Sequence, residues 1–175
     1  MKRILINDDN LKIDDLDFEV IRVKGLIINS DGDILIAHNN GTYQFPGGHK
    51  EDDETLDDSL EREIKEETGI DVESQGPFMS ITTYDSNYFN QNKKVCNKIY
   101  YYVINTNETP NFEETHYDEL ECQTEFNLIY TEVLGLCKFL DAAVVEGTMD
   151  PNICREMKLV IEEYYGLKEF CKNVV

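Results

Sequence analysis

Positive charge is scarce in this sequence: 16 Lys and Arg stand against 36 Asp and Glu, a formal net charge of −20 at pH 7. A field of that sign repels phosphate backbones and has few cations with which to release their counterions, so long nucleic acid is not an expected partner. Long apolar runs are also missing. The longest strand-like one, IYYYVI at 99–104, is far too short to span a membrane, and MKRILINDDN holds too few apolar residues for a secretory leader. The cysteines Cys96, Cys122, Cys137, Cys154 and Cys171 are odd in number and form no CxxC pair, which argues against a disulfide framework or a zinc site and for a reducing compartment. His38, His49 and His116 show no metal-ligand spacing. A soluble, cytoplasmic protein that uses neither membrane nor long nucleic acid is the expectation.

What is present suffices for one folded domain across 1–175: 41% hydrophobic and 30% charged residues in 20.3 kDa. FEVIRVKGLIIN at 18–29, the turn signal SDGD and ILIAH at 34–38 predict a hairpin. NNGTYQFPGG breaks regularity ahead of a helix. IDV at 70–72, FMSITTY at 78–84, VCNKIYYYVI at 95–104 and FNLIY at 126–130 read as further strands. An acidic connection fills 105–121, and segments 131–147 and 151–171 read as two helices, the second with Pro151 in its first turn. The expected class is α/β, with a mixed core at about 18–140 and a helical extension at about 141–175 that packs on this body or on a second copy of the chain in a homodimer.

The densest run of carboxylates is GGHKEDDETLDDSLEREIKEETGI, residues 47–70. Thr55 and Asp58 make a capping box and Gly69 a left-handed stop, which bounds a helix over 56–68. At about 100° per residue, with Leu56 at zero, Leu60 and Ile64 fall at about 40° and about 80° and define the buried stripe. Glu63 at about −20° and Glu67 at about 20° lie along that stripe, and Glu66 at about −80° is on its shoulder. Asp57, Asp58, Glu61, Arg62 and Lys65 face away, where Arg62 and Glu66 can pair as exposed neighbours. Inward carboxylates repel, take up a proton or share a cation; snorkelling to the helix edge or bonding to loop amides is the structural alternative. Ahead of the helix, Gly47 and Gly48 permit close backbone approach, and Glu54 can reach the Arg62 guanidinium.

Gly48, five residues, Glu54, seven residues, Arg62-Glu63-Ile64, one residue, Glu66-Glu67, one residue, Gly69-Ile70 resembles the box of the Nudix hydrolases at each of its specified positions. The resemblance implies a Nudix-type α/β/α sandwich with a mixed sheet, here with an extra C-terminal helix. It also implies hydrolysis of a pyrophosphate bond in a nucleoside diphosphate linked to another moiety, by water attacking phosphorus with divalent metal assistance. Carried over, Glu63, Glu66 and Glu67 bind Mg²⁺ or Mn²⁺ with a Gly47 or Gly48 carbonyl as a further ligand, and Arg62 and Glu54 form an orienting pair. The proton acceptor is a box glutamate or an acid of the later loop, where Glu113, Glu114, Glu119 and Glu121 are candidates. Tyr84, Tyr88 and Phe89 are candidates for stacking on the base of a small nucleotide-type substrate. A nucleotide-sensing module without catalysis is the alternative, and a missing box carboxylate would mark it; none is missing.

Overall fold

The computed structural model describes residues 1–39, 41–88, 91–116 and 126–166. Strand β1 is Lys2–Ile6, β2 Phe18–Ile28, β3 Ile34–Asn39, β4 Thr42–Gln44, β5 Met79–Asp85, β6 Val95–Asn105 and β7 Asn127–Thr131. The helices are α1 Leu56–Thr68, α2 Val133–Val145 and α3 Pro151–Tyr165. All seven strands belong to one mixed sheet in the order β1-β5-β6-β2-β3-β4, with β7 on β3. Its centre is the parallel pair β2 and β6, in register from Phe18↔Val95 to Ile28↔Asn105. β2 is buried from Val23 to Ile28, and β6 at Val95, Cys96, Ile99, Tyr101, Tyr102 and Ile104, so the pair is covered on both faces where it lies under the helices.

Alternate residues of the central strands supply two cores. Val23, Ile27, Tyr102 and Ile104 pack under Leu60 and Ile64 of α1. Leu26, Ile28, Ile99 and Tyr101 face the other way, under Leu136 and Leu140 of α2 and Met157, Val160 and Ile161 of α3. Each fully buried aliphatic side chain contributes roughly 1.5–3 kcal/mol. Helix α1 on one side and α2 with α3 on the other make an α/β/α sandwich. The last helix therefore packs on its own sheet, and α2 runs through residue 140, so the core and the extension share a helix.

Three expectations change. IDV at 70–72 is not a strand, because the Ile70 N–H is taken by the Thr68 hydroxyl at 3.1 Å and Ile70 turns under α1. Lys2–Ile6, read only as a segment too polar for a leader, pairs in parallel with β5 from Lys2↔Met79 to Ile6↔Thr83. The hairpin of β2 and β3 pairs at Ile28↔Ile34 and then opens. Into that opening comes the glycine turn: Val23 donates to the Gly48 carbonyl at 3.0 Å, Gly25 to Pro46 at 2.9 Å, and Lys50 returns a bond to Ile21 at 3.0 Å. The divergence of two strands thus seats the turn against the centre of the sheet.

Candidate active site

Helix α1 begins and ends as its caps dictate. The Thr55 hydroxyl accepts the Asp58 N–H at 3.1 Å, the Asp58 carboxylate accepts the Thr55 N–H at 3.3 Å, and Gly69 closes the helix at φ 71°. Beyond it, residues 105–116 wrap the helix end. Asn111 donates to the Thr68 carbonyl and His116 to that of Glu66, both at 2.9 Å. A side chain at position 69 would meet the Asn111 carbonyl oxygen at 2.1 Å, so glycine is needed there for closeness as well as for φ.

The inward acids are where the helical geometry puts them. Glu67 is 4% exposed and its Oε2 accepts the Gly47 N–H at 2.7 Å. Gly47 sits at φ 127° and a Cβ on it would lie 2.3 Å from the Val23 oxygen, so the turn holds only with glycine there. The Glu63 carboxylate lies over the next residue: a Cβ on Gly48 would be 2.3 Å from its Oε2. Turn and helix are thereby locked by two glutamates one helical turn apart.

Arg62 departs from the outward position expected of it. Its Nε and Nη2 hold Glu54 in a fork at 3.0 and 2.8 Å, and Nη2 also donates to the His49 carbonyl at 3.0 Å. Its Nη1 donates to Glu63 and to Glu66, each at 2.9 Å. All five guanidinium protons are therefore spent on the box and its loop. The hydrogen bonds from Arg62 pull the Glu54 carboxyl down to about 2, and those acids, Glu54 first, raise the guanidinium above its usual range. Four carboxylates against one guanidinium leave the cluster strongly negative.

Among the described residues no three acidic, histidine or cysteine side chains form a ready-made metal cage. The cation at the focus of Glu63 and Glu66 is the Arg62 Nη1, and Glu67 is turned to the turn amide. The donor chemistry nevertheless suits a hard divalent ion. Two carboxylates already converge on one cationic nitrogen, all three present only oxygen, and Glu66, with its side chain 37% exposed, opens the cluster to solvent.

The later-loop acids are placed otherwise. Glu114 is held by Lys65 and by Asn111 Nδ2 at 2.9 Å, beside the C-terminal end of α1, and Glu113 is exposed. Glu119, Glu121 and Phe89 lie outside the described residues. Lys65 and Glu61 are also engaged, Lys65 with Asp71 at 2.9 Å and Glu61 with the Ser74 N–H at 2.8 Å. Tyr88 packs edge-on against Phe18, ring centroids 5.9 Å apart, and its hydroxyl accepts from Arg22 at 2.9 Å. Tyr84 lines a cavity on the α3 side of the sheet.

Sequence reasoning missed a buried polar group on that side. Lys24 of β2, 7% exposed, donates to Gln44 Oε1 at 2.6 Å, and Glu156 of α3, 8% exposed, accepts from the Tyr101 hydroxyl at 3.3 Å. Burial lowers the Lys24 amine to about 8 against the pull of Glu156, and burial raises the Glu156 carboxyl against the pull of Lys24. A lysine inside the apolar run FEVIRVKGLIIN was the available signal.

The chain belongs to the Nudix family: the NUDIX domain model matches residues 20–130, more than half of its length. It is similar to a MutT-like protein of Streptomyces ambofaciens, 44% identical over 55 residues, which are 30% of this chain and 36% of that protein. It is also similar to an 8-oxo-dGTP diphosphatase of Proteus vulgaris, 43% identical over 54 residues, 27% of this chain and 48% of that one. The matches thus span between a third and a half of these curated relatives. In fold it is similar to a NUDIX hydrolase from Nitrosomonas europaea, with a TM-score of 0.57 at 14% identity over 85% of this chain and 90% of that one. Among the described residues no helix is long and apolar enough to cross a membrane.

Proposed function

We propose that the protein hydrolyses a pyrophosphate bond in a small nucleotide, a nucleoside diphosphate linked to a further phosphate or another group, with the help of Mg²⁺ or Mn²⁺. The observation that carries this is the closed network around Arg62, which gathers Glu54, Glu63, Glu66 and the loop carbonyl of His49 on one guanidinium while Glu67 holds Gly47. A module that only senses nucleotides has no need of so complete a set of carboxylates. The Proteus relative's name, a diphosphatase of an oxidised nucleoside triphosphate, points the same way for the reaction class.

In this reading Glu63, Glu66 and Glu67 hold the divalent cation. The ion supplies neutralisation of phosphate charge and a more acidic water. The protein's own residues do the rest. Arg62 aims Glu63 and Glu66 together, and Glu54 fixes the plane of Arg62 through its fork. Glu67 fixes the turn, whose backbone lies against β2. The water's proton is assigned to a carboxylate of the box: of the described acids on the later loop, Glu114 is committed to Lys65 and Asn111 and Glu113 is exposed.

Conversion of nucleoside triphosphates, nucleotide sugars and dinucleoside polyphosphates to shorter nucleotides, followed by chromatography with and without Mg²⁺ or Mn²⁺, tests the proposal. Metal-dependent turnover of at least one class is expected. Nucleotide binding without turnover on any of them would replace it with the sensing module.

A further inference from the structure

His49, the residue after the glycine pair, joins two guanidiniums. Its carbonyl accepts from Arg62 Nη2 at 3.0 Å, and its ring Nε2 accepts from the Nε of Arg22, on β2, at 3.1 Å. The backbones of Arg22 and His49 also form an antiparallel bridge, and the adjoining Val23 N–H holds the Gly48 carbonyl at 3.0 Å. Side chain and main chain together fix Arg22 at the rim of the glycine turn.

The two arginines differ in what they have left to donate. Arg62 spends every proton on the box and its loop, whereas Arg22 gives one to His49 and one, at 2.9 Å, to the Tyr88 hydroxyl. Three of its five N–H groups therefore meet no acceptor among the described residues, and both acceptors it has are neutral. Lys24 lies two residues along β2 and projects from the same face, roughly 7 Å away. Its amine has a neutral partner as well, Gln44 Oε1 at 2.6 Å.

This arrangement stands out in a chain with 36 acids. Lys2, Arg62, Lys65, Lys98, Arg155 and Lys158 all make salt bridges to carboxylates. Arg22 and Lys24 make none among the described residues, although the charges of Glu156 and Glu67 act on Lys24 from farther off. Two like charges side by side, one of them 7% exposed, are costly until an anion joins them. A guanidinium with an open fork is suited to phosphate oxygens, which it can hold two at a time.

We infer that Arg22, with the charge of Lys24 behind it, grips a phosphate of the substrate that lies beyond the acidic cluster. The site thereby favours a nucleoside with three or more phosphates over a nucleoside diphosphate joined to an uncharged sugar. This rests on the hydrolase reading above and narrows it to one substrate class. A sugar in that position would leave the guanidinium fork and its charge unanswered, and a site with unpaired polar groups discriminates against such a ligand.

The test compares two ligands of the same nucleoside that hydrolysis cannot cleave, each with methylene groups in place of the bridging oxygens between phosphorus atoms: a triphosphate and a diphosphate glucose. Binding to the full chain is measured by calorimetry with Mg²⁺ at pH 7, where the Lys24 amine, lowered to about 8 by burial, is still charged. The parent is expected to bind the triphosphate analogue about tenfold more tightly or better. Arg22→Gln is expected to bring the two ligands to within about threefold by weakening the triphosphate analogue, and Arg22→Lys, which keeps the charge without the fork, to fall between. Tyr88→Phe removes a partner of Arg22 but not its charge, and is expected to leave the ratio within about twofold of the parent's. If Arg22→Gln does not fold, Lys24→Gln carries the same comparison, with an expected loss of about threefold or more in the ratio. No binding of the triphosphate analogue by the parent, equal binding of the two ligands, a ratio untouched by the charge-removing variant, or an equal loss of the ratio in Tyr88→Phe overturns the inference. Failure of the hydrolase reading looks different: no natural nucleotide is turned over with either metal, while the preference for the triphosphate analogue and its dependence on Arg22 persist.

Discussion

The Glu67 carboxylate on the buried side of α1 accepts the Gly47 N–H at 2.7 Å, so the helix and the turn that precedes it are joined by an acid. That acid is asked to do two things: hold the turn, and share a cation with Glu63 and Glu66. The two can be separated. Glu67→Gln keeps an oxygen that accepts the Gly47 N–H but removes the charge. We expect its melting temperature within about 3 °C of the parent, a shift that corresponds to roughly 1 kcal/mol for a chain of this size, and turnover reduced at least about 100-fold. Unchanged rates would remove Glu67 from the site.

Gly47→Ala tests the turn without touching a charge. Its φ of 127° and the 2.3 Å approach of a Cβ to the Val23 oxygen leave no strain-free arrangement. Strain alone costs about 1–3 kcal/mol, and the clash adds to it. Thermal unfolding should show a drop of several degrees, with activity lost through displacement of the turn.

The Glu54 and Arg62 fork predicts a particular pH dependence. A carboxyl held down to about 2 in the folded protein, against 4.5 ordinarily, stabilises the fold fully above about 4.5. That stabilisation is lost as pH falls from there through about 2. The stability difference between the parent and Glu54→Gln, followed by urea unfolding, should be roughly 1–3 kcal/mol at neutral pH and shrink steadily below pH about 4.5. A difference that stayed constant down to pH about 2.5 would show that the fork contributes nothing through its charge.

Glu114 offers a contrast. It is more than half exposed and paired with Lys65 at the far end of α1, so Glu114→Gln should cost at most about 1 kcal/mol and change turnover less than about threefold. A loss of 100-fold in the pH-independent rate would move the proton acceptor from the box to the 105–116 segment.

The sequence was most readable where a side chain acts on its own neighbourhood. Thr55, Asp58 and Gly69 bound α1 by bonds that span three or four residues, and the helical period alone turns Glu63 and Glu67 inward. Strand β1 was not readable, because its partner β5 lies more than seventy residues along the chain and five residues of KRILI carry little pattern. Arg62 was misplaced for a related reason. Its angle on the helix points outward, but its long side chain folds back along the helix edge to carboxylates and a carbonyl supplied by the preceding loop. Lys24 and Glu156 stand 132 residues apart, and neither segment alone shows why a charge would be buried there.

The most direct test of the central claim is Mn²⁺ binding by electron paramagnetic resonance, which reports the ion without any turnover. If Glu63, Glu66 and Glu67 share a cation, the parent chain binds Mn²⁺ at a tight site, and Glu63→Gln and Glu67→Gln each weaken it by about tenfold or more while remaining folded. Equal Mn²⁺ affinity in the parent and both variants would mean that the inward glutamates serve the turn and Arg62 alone, and the metal-assisted reading of this site would be wrong.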